Sequence, residues 1–313
     1  MSESKPQISV IIPVYNERES VARLHAELVL VLSGLGHPYE IIFIDDGSTD
    51  QTLAELKKLS PARVVVFTRN FGKSQSLQAG FTTARGDYIF TLDGDLQDDP
   101  AEMPSFLREL ETAKLDLVCG WKQKRRDDWA KRLVSKLANL VTTWFTGVRV
   151  HDMNCGYKLY RREVAVALDL FGDMHRYVPA LAAAQGFRVG EIPVHHRSRS
   201  FGVSKYGNFR RFFKSFFDFV SLILLRRFVD RPMHLFGLGG FVLTSLGFVI
   251  LVYLSWVKLY LDELIGQRPL LLLGVLLMVI GLQFFSSGFL GELLIRQGGQ
   301  RKKIYGIREI IEQ

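Results

Sequence analysis

Cysteine is scarce. Only two of the 313 residues, Cys119 and Cys155, carry a thiol. That excludes a disulfide scaffold and a cysteine-based zinc site, and it fits a reducing compartment. Histidine gives no metal pattern either: the spacings of His151, His175, His195 and His196 match no zinc motif, so they read as surface or site-rim residues. No Gly-x-Gly-x-x-Gly follows the first strand-like run, which disfavours a dinucleotide oxidoreductase. The opening Met-Ser-Glu-Ser-Lys-Pro-Gln lacks an apolar core, so no secretory signal is expected. Charge is missing from two long stretches. Residues 232–257 and 269–291 contain no Asp, Glu, Lys or Arg over 26 and 23 residues, where about 20 suffice to span a bilayer.

What is present is a chain longer than one typical domain, with 48% apolar residues and a net charge of +8. It is too apolar to be disordered. The charge is polarised. Residues 197–231 hold nine basic and two acidic residues, 122–132 are net +4, 296–313 are net +3, and the remainder is net −6. Nucleic acid, a membrane surface and an anionic substrate are the partners such a balance admits.

Up to about residue 208, strands alternate with helices. Ile8–Val14, Tyr39–Ile44, Val64–Thr68, Tyr88–Leu92 and Leu115–Gly120 are short apolar runs. Helical patterns fall at 17–33, 50–59, 73–85, 101–113 and 128–145, and Val21, Leu24, Leu28 and Leu32 share one stripe of the first. The alternation predicts an α/β domain with a mostly parallel sheet covered on both faces. Its ligand belongs beyond the carboxyl ends of the strands. Those ends carry Tyr15-Asn16-Glu17, Asp45-Asp46-Gly47, Arg69-Asn70 and Asp93-Gly94-Asp95.

The expected organisation is a cytoplasmic catalytic domain at 1–208, an interfacial amphipathic segment at 209–231, a two-helix transmembrane hairpin at 232–295 and a basic cytoplasmic tail at 296–313. In Arg210-Arg211-Phe212-Phe213-Lys214, cations suit the head groups and rings the acyl boundary. Basic residues flank the spans: Arg226, Arg227 and Arg231 before, Arg296, Arg301, Lys302 and Lys303 after. The positive-inside rule therefore puts both ends in the cytoplasm. Gly237, Gly239, Gly240, Gly247, Gly274 and Gly281 would let the spans pack closely.

Asp93-Gly94-Asp95 is the sharpest local feature. Two carboxylates one residue apart at a strand end can reach one hard cation, with Gln97 adding a neutral oxygen. Mg²⁺ or Mn²⁺ held there would bridge nucleotide phosphates. Asp98 and Asp99 read as the start of the next helix, where carboxylates suit the dipole.

Ile8-Ser9-Val10-Ile11-Ile12-Pro13-Val14-Tyr15-Asn16-Glu17, Asp45-Asp46-Gly47-Ser48-Thr49-Asp50, Arg69-Asn70-Phe71-Gly72-Lys73 and Asp93–Pro100 together resemble the inverting glycosyltransferases of family 2, with the GT-A fold. Asp152–Arg162 and Arg199-Ser200-Phe201-Gly202-Val203-Ser204-Lys205 narrow the resemblance to polyprenyl-phosphate glycosyltransferases, and the two spans to the bacterial type. It covers essentially the whole chain. It implies that Pro13, Tyr15, Glu17, Asp45, Asp46, Lys73 and Asp93 serve the nucleotide. Asp93, Asp95 and Gln97 would hold the metal, with Asp95 and Gln97 as the direct ligands. Asp152 would face the reacting sugar, and so, with Asp93 and Asp95, counts as catalytic. Arg125, Arg161, Arg199 and Lys205 are the candidates for the acceptor phosphate. The family often has Arg where Lys122 stands, which leaves open which cation in 122–126 meets phosphate. Cys155 reads as a small filler.

The implied reaction is in-line attack of polyprenyl phosphate on the anomeric carbon of a nucleotide sugar, with inversion. The two-span architecture tilts the donor toward UDP-glucose and the acceptor toward undecaprenyl phosphate. GDP-mannose and an aminoarabinose-type donor are the alternatives. A processive polysaccharide synthase is disfavoured, because no Gln-x-x-Arg-Trp is present and two spans make no channel. A non-catalytic membrane-anchored nucleotide-binding scaffold sits poorly with an intact Asp-x-Asp. Nucleic acid becomes the least expected partner, the membrane an expected one, and the resemblance admits a homotetramer.

Overall fold

A computed structural model of the chain describes residues 5–122, 150–195, 197, 232–261, 264–266, 268–297 and 305–312. The helix expected at 128–145 and the amphipathic segment at 209–231 lie outside them. The chain divides into two compact units, one of residues 1–207 with 303–313, the other of residues 208–302.

The first unit is built on an eight-stranded sheet. Its elements in chain order are β1 (Ile8–Val14), α1 (Val21–Gly34), β2 (Tyr39–Asp45), α2 (Thr52–Leu56), β3 (Arg63–Phe67), α3 (Lys73–Thr83), β4 (Tyr88–Thr91), α4 (Met103–Thr112), β5 (Leu117–Trp121), β6 (Lys158–Arg161), α5 (Arg162–Ala167), α6 (Val178–Ala184) and β7 (Val189–Pro193). β8 (Ile307–Glu312) comes after the second unit. The strand order is β7-β5-β6-β4-β1-β2-β3-β8. β1 to β4 run parallel, as the alternation predicts. β6 enters antiparallel between β4 and β5, and β8 antiparallel beside β3.

β1 is central and buried almost throughout, so its near-continuous apolar run is what a strand covered on both faces requires. Val21, Leu24, Leu28 and Leu32 of α1 are fully buried against Ile12, Phe43 and Val64. The expected helix stripe is therefore the packed one. In the same core, Phe106 of α4 lies edge-on to Phe90 and tilted against Tyr157, at 6.0 and 4.4 Å between ring centres.

The second unit contains α7 (Pro232–Leu261) and α8 (Pro269–Gln297). Both are long and apolar enough to cross a membrane, over Phe236–Leu261 and Pro269–Leu294. They touch at glycines. A Cβ on Gly240 would lie 2.6 Å from the Gly281 carbonyl oxygen, and one on Gly247 2.7 Å from that of Gly274. Larger residues there would push the helices apart. Their other faces expose Phe241, Leu246, Phe248, Leu276 and Leu282, which have no reason to face water.

The C-terminus differs from expectation. Instead of a tail throughout 296–313, Ile307–Glu312 pairs with β3 along Arg63–Phe67. β3 would otherwise be an open edge, and an unpaired row of amides and carbonyls recruits a strand. Ile311 packs against the core, and Glu309 and Glu312 pair with Lys57 and Arg63.

Candidate donor and metal site

The parallel register sets the ends of β1 and β2 level, with Val14 opposite Asp45. The loops beyond them are stitched together. Asn16 takes the left-handed conformation, φ 56°. Its amide donates to Ser48 Oγ at 3.0 Å, and its Oδ1 accepts from the Thr49 amide at 2.8 Å. The Glu17 amide donates to Thr52 Oγ1 at 2.8 Å. Asp45 accepts the Ser48 amide at 3.0 Å. Gly47, at φ 69°, lies so close to the β3–α3 loop that a Cβ would sit 2.7 Å from Arg69 Cα. Only glycine meets both demands.

Asp46 has a different task from its neighbour. It is buried, and its two oxygens accept the Phe71 and Gly72 amides at 2.7 and 2.9 Å. Burial pushes its carboxyl up from the usual range, against the pull of those two amides, and Asp45 adds to the rise. Asp46 thus holds the loop that leads into α3. Pro13, Tyr15 and Glu17 stand at the rim of the same strand ends, Tyr15 with its ring well exposed.

α3 begins with Lys73, whose ammonium ion-pairs with Asp93 at the end of β4. Both are partly open to solvent. Burial raises the Asp93 carboxyl, but Lys73, with Lys122 and Lys158, outweighs it and holds the group at about 2. Burial likewise works against the Lys73 ammonium, and Asp93 more than restores it, so its pKa is raised. The loop from Asp152 to Gly156 presses on the same carboxylate: a Cβ on Gly156 would fall 2.6 Å from Asp93 Oδ1. Thr91 Oγ1 donates to the Gly156 carbonyl at 2.7 Å. Asp152 is buried and accepts the Asn154 amide at 3.2 Å. The preceding His151 stacks on Trp121 at 4.1 Å, and Glu191 accepts its amide at 2.7 Å. The structure therefore brings the expected Asp93 and Asp152 segments together.

The turn after Asp93 is tight. Leu96 is buried at φ 63°, a strained conformation for a bulky residue. Asp95 Oδ1 accepts the Gln97 amide at 3.2 Å, and the Gln97 carbonyl accepts the Arg197 amide at 3.0 Å. Among the described residues no cluster of three His, Cys, Asp or Glu could hold a metal by itself. The oxygens of Asp95 and Gln97 are partly exposed and hard. Few protein donors, with room for phosphate and water, suit Mg²⁺ or Mn²⁺. The residues fit such an ion. Asp93 differs from these two in being already paired with Lys73.

Two expectations are corrected. Asp98 is not a helix-start residue: its side chain is 1% exposed and pairs with Lys122 at 2.9 Å, itself 8% exposed. The Asp93 amide also donates to it at 3.3 Å. Burial works against the Lys122 ammonium, and Asp98, with Cys155 and Asp93, more than compensates and raises its pKa. Asp99 alone does the capping, accepting the Ala101 amide at 3.0 Å and pairing with Arg197 at 2.7 Å. Arg161 lies away from the site. It stands opposite Tyr88, at the start of β4, while Lys158 stands opposite Thr91 at its end. The Arg161 guanidinium is committed to Glu111 at 3.0 Å and to the Leu115 carbonyl at 3.2 Å. Arg125, Arg199 and Lys205 lie outside the described residues.

Two residues, Lys158 and Ser74, escaped the sequence reading. Lys158 is buried, donates to the Cys155 carbonyl and lends charge to Asp93. No local signal marked it, because a lysine between Tyr157 and Leu159 reads as the solvent side of a strand. Ser74 Oγ meets His175 Nδ1 at 2.9 Å in the first turn of α3. Burial, then Lys73 and Arg176, hold His175 down at about 3. Cys155 is the inert filler expected: burial pushes its thiol up to about 11.

Residues 9–168 match the family model described as glycosyl transferase family 2. Dodecaprenyl-phosphate galacturonate synthase from Rhizobium johnstonii is 39% identical over 298 residues, 93% of this chain and 88% of that protein. Among solved structures, glucosyl-3-phosphoglycerate synthase from Mycobacterium tuberculosis, in complex with Mn²⁺, UDP and phosphoglyceric acid, superimposes with a TM-score of 0.55 at 19% identity, over 71% of this chain and 78% of that one. Mannosyl-3-phosphoglycerate synthase from Rubrobacter xylanophilus gives 0.54 at 16%, over 71% and 74%. At these identities the two structures speak for the GT-A fold alone.

Proposed function

The chain belongs to glycosyltransferase family 2, and on that premise we propose that it transfers a hexuronic acid from a nucleoside diphosphate donor to a polyprenyl phosphate, inverting the anomeric carbon. The observation that carries this is the identity to a polyprenyl-phosphate galacturonate synthase through 93% of the chain, catalytic unit and apolar hairpin together. It also moves the sugar away from the glucose that the two-span architecture suggested.

Each residue then has a task. Tyr15 offers its exposed ring to the nucleobase, and Glu17 and Asp45 line the ribose side. Asp46 keeps the 69–72 loop in place beneath. Lys73 spends one donor on Asp93 and has two left for diphosphate oxygens. Asp95 and Gln97 would hold a divalent cation. When bound, that ion offsets charge on the departing diphosphate. Asp152 orients sugar or acceptor. Little base strength is asked of it, because a phosphate monoester with a second pKa near 6 is mostly ionised at pH 7. The chain's work is positioning and charge compensation. Arg125, Arg199 and Lys205 are the cations proposed for the acceptor phosphate.

The setting is the cytoplasmic membrane. β8 joins the same sheet as β1, so the segments before and after the hairpin belong to one folded unit. An even number of crossings, with both flanks in the cytoplasm, satisfies this.

The test is a panel of UDP- and GDP-sugars, UDP-galacturonate and UDP-glucose among them. Each is incubated with the detergent-solubilised chain, a polyprenyl phosphate and Mn²⁺ or chelator, and the lipid product is weighed by mass spectrometry. A hexuronyl monophosphate lipid is expected. Hexose-only product, or none, refutes the reading.

A further inference from the structure

β8 does more than cover an edge. The Tyr305 ring, buried just before it, stacks on Phe67 at 5.2 Å and 21°. The Thr68 amide donates to the Gly306 carbonyl at 3.0 Å. Phe67 also meets Phe71 edge-on at 5.6 Å, and Arg69 lies over the Phe71 ring at 4.4 Å. The backbone amide of that same Phe71 is the one Asp46 accepts at 2.7 Å. Two residues on, Lys73 holds Asp93. A continuous line of contacts runs from the end of the chain to the loop beneath the donor site.

We propose that Tyr305 is a positioning residue of the donor site. By stacking on Phe67 it fixes Phe71 and the 69–72 loop, and so sets where Asp46 and Lys73 stand. The loop is held at Phe71 in two ways: Asp46 accepts its amide, and Phe67 packs against its ring. Removing Tyr305 takes the stacked partner from Phe67 and loosens the packing on the Phe71 ring. The consequence falls on the nucleotide sugar, because the line ends at Asp46 and Lys73, both assigned to the nucleotide. This rests on the donor-site reading given above.

The test uses the full-length chain in detergent, with Tyr305→Ala and Tyr305→Phe. Steady-state transfer is measured with nucleotide sugar and lipid phosphate varied in turn. Tyr305→Ala is expected to raise KM for the nucleotide sugar roughly 2- to 12-fold, the span of an aromatic pair's contribution. KM for the lipid should stay within about twofold, and Tyr305→Phe should behave as the parent. An unchanged donor KM overturns the proposal, as does an equal loss in both KM values. If Tyr305→Ala fails to fold, Phe71→Leu, on the same line but away from β8, must reproduce the donor-selective shift. An unchanged donor KM in that variant overturns the proposal equally. UDP and GDP binding to the parent chain, measured by calorimetry, separates the two levels. No binding there removes the donor-site reading and this inference with it, whereas binding with an indifferent Tyr305→Ala removes only the inference.

Discussion

Lys122→Met should destabilise the catalytic unit before it changes the chemistry. The Lys122 ammonium and the Asp98 carboxylate lie 2.9 Å apart with side chains 8% and 1% exposed. Methionine keeps most of the side-chain volume, so little packing is lost. What changes is that Asp98 keeps a buried charge without its partner. Breaking one side of a buried pair costs about 3–5 kcal/mol. For a unit of roughly 220 residues, each kcal/mol moves Tm by about 2–4 °C, which gives a fall of about 6–20 °C. Differential scanning fluorimetry in detergent reads this directly. Asp98→Asn combined with Lys122→Met removes both charges and should recover at least half of the loss, because the cost lies in the unpaired charge. A Lys122→Met variant within 2 °C of the parent refutes the reasoning. If that variant instead raised KM for polyprenyl phosphate, Lys122 would be an acceptor ligand rather than a buried counter-ion.

Gly156→Ala should lower kcat at least tenfold with little change in expression, since its methyl would displace the Asp93 carboxylate; parental kcat would contradict the close approach. His175 carries a pH signature. Its folded pKa of about 3 lies below the unfolded value near 6.5, so its share of stability is whole above pH 6.5 and is lost as pH falls toward 3. His175→Asn should flatten the Tm-against-pH curve below pH 6.5 and leave its shape above pH 7 alone; parallel curves would dismiss the assignment. Cys119 and Cys155, buried with thiols pushed up to about 12 and about 11, should resist iodoacetamide at pH 8 until the chain is denatured. Mass spectrometry of the folded protein showing rapid alkylation would contradict this.

The parallel half of the sheet was legible because buried parallel strands are continuous apolar runs, and β1 to β4 are that. The strand-end placing of Asp93 and Asp95 was legible because the apolar run of β4 stops just before them. Arg161 was misplaced because its role depends on register: only the antiparallel pairing with Tyr88 reveals that it lies at the wrong end of β4. Asp98 was misread because helix-start chemistry is local, whereas its partner Lys122 arrives from β5's end. β8 was missed because Ile307, Ile310 and Ile311 follow no period of two; these β-branched residues become a strand by pairing with the open edge of β3.

That late strand gives the chain a timing problem at the ribosome. Phe67 pairs with Ile307, roughly 240 residues further on, and at about 5–20 residues per second the wait is about 12–48 s. Throughout it β3 is a bare, flat, valine-rich edge, open to any passing strand. The nascent catalytic unit therefore needs shielding until the hairpin has been made and Ile307–Glu312 has left the exit tunnel. Truncation near the C-terminus should show itself first as aggregation during synthesis, ahead of any kinetic defect.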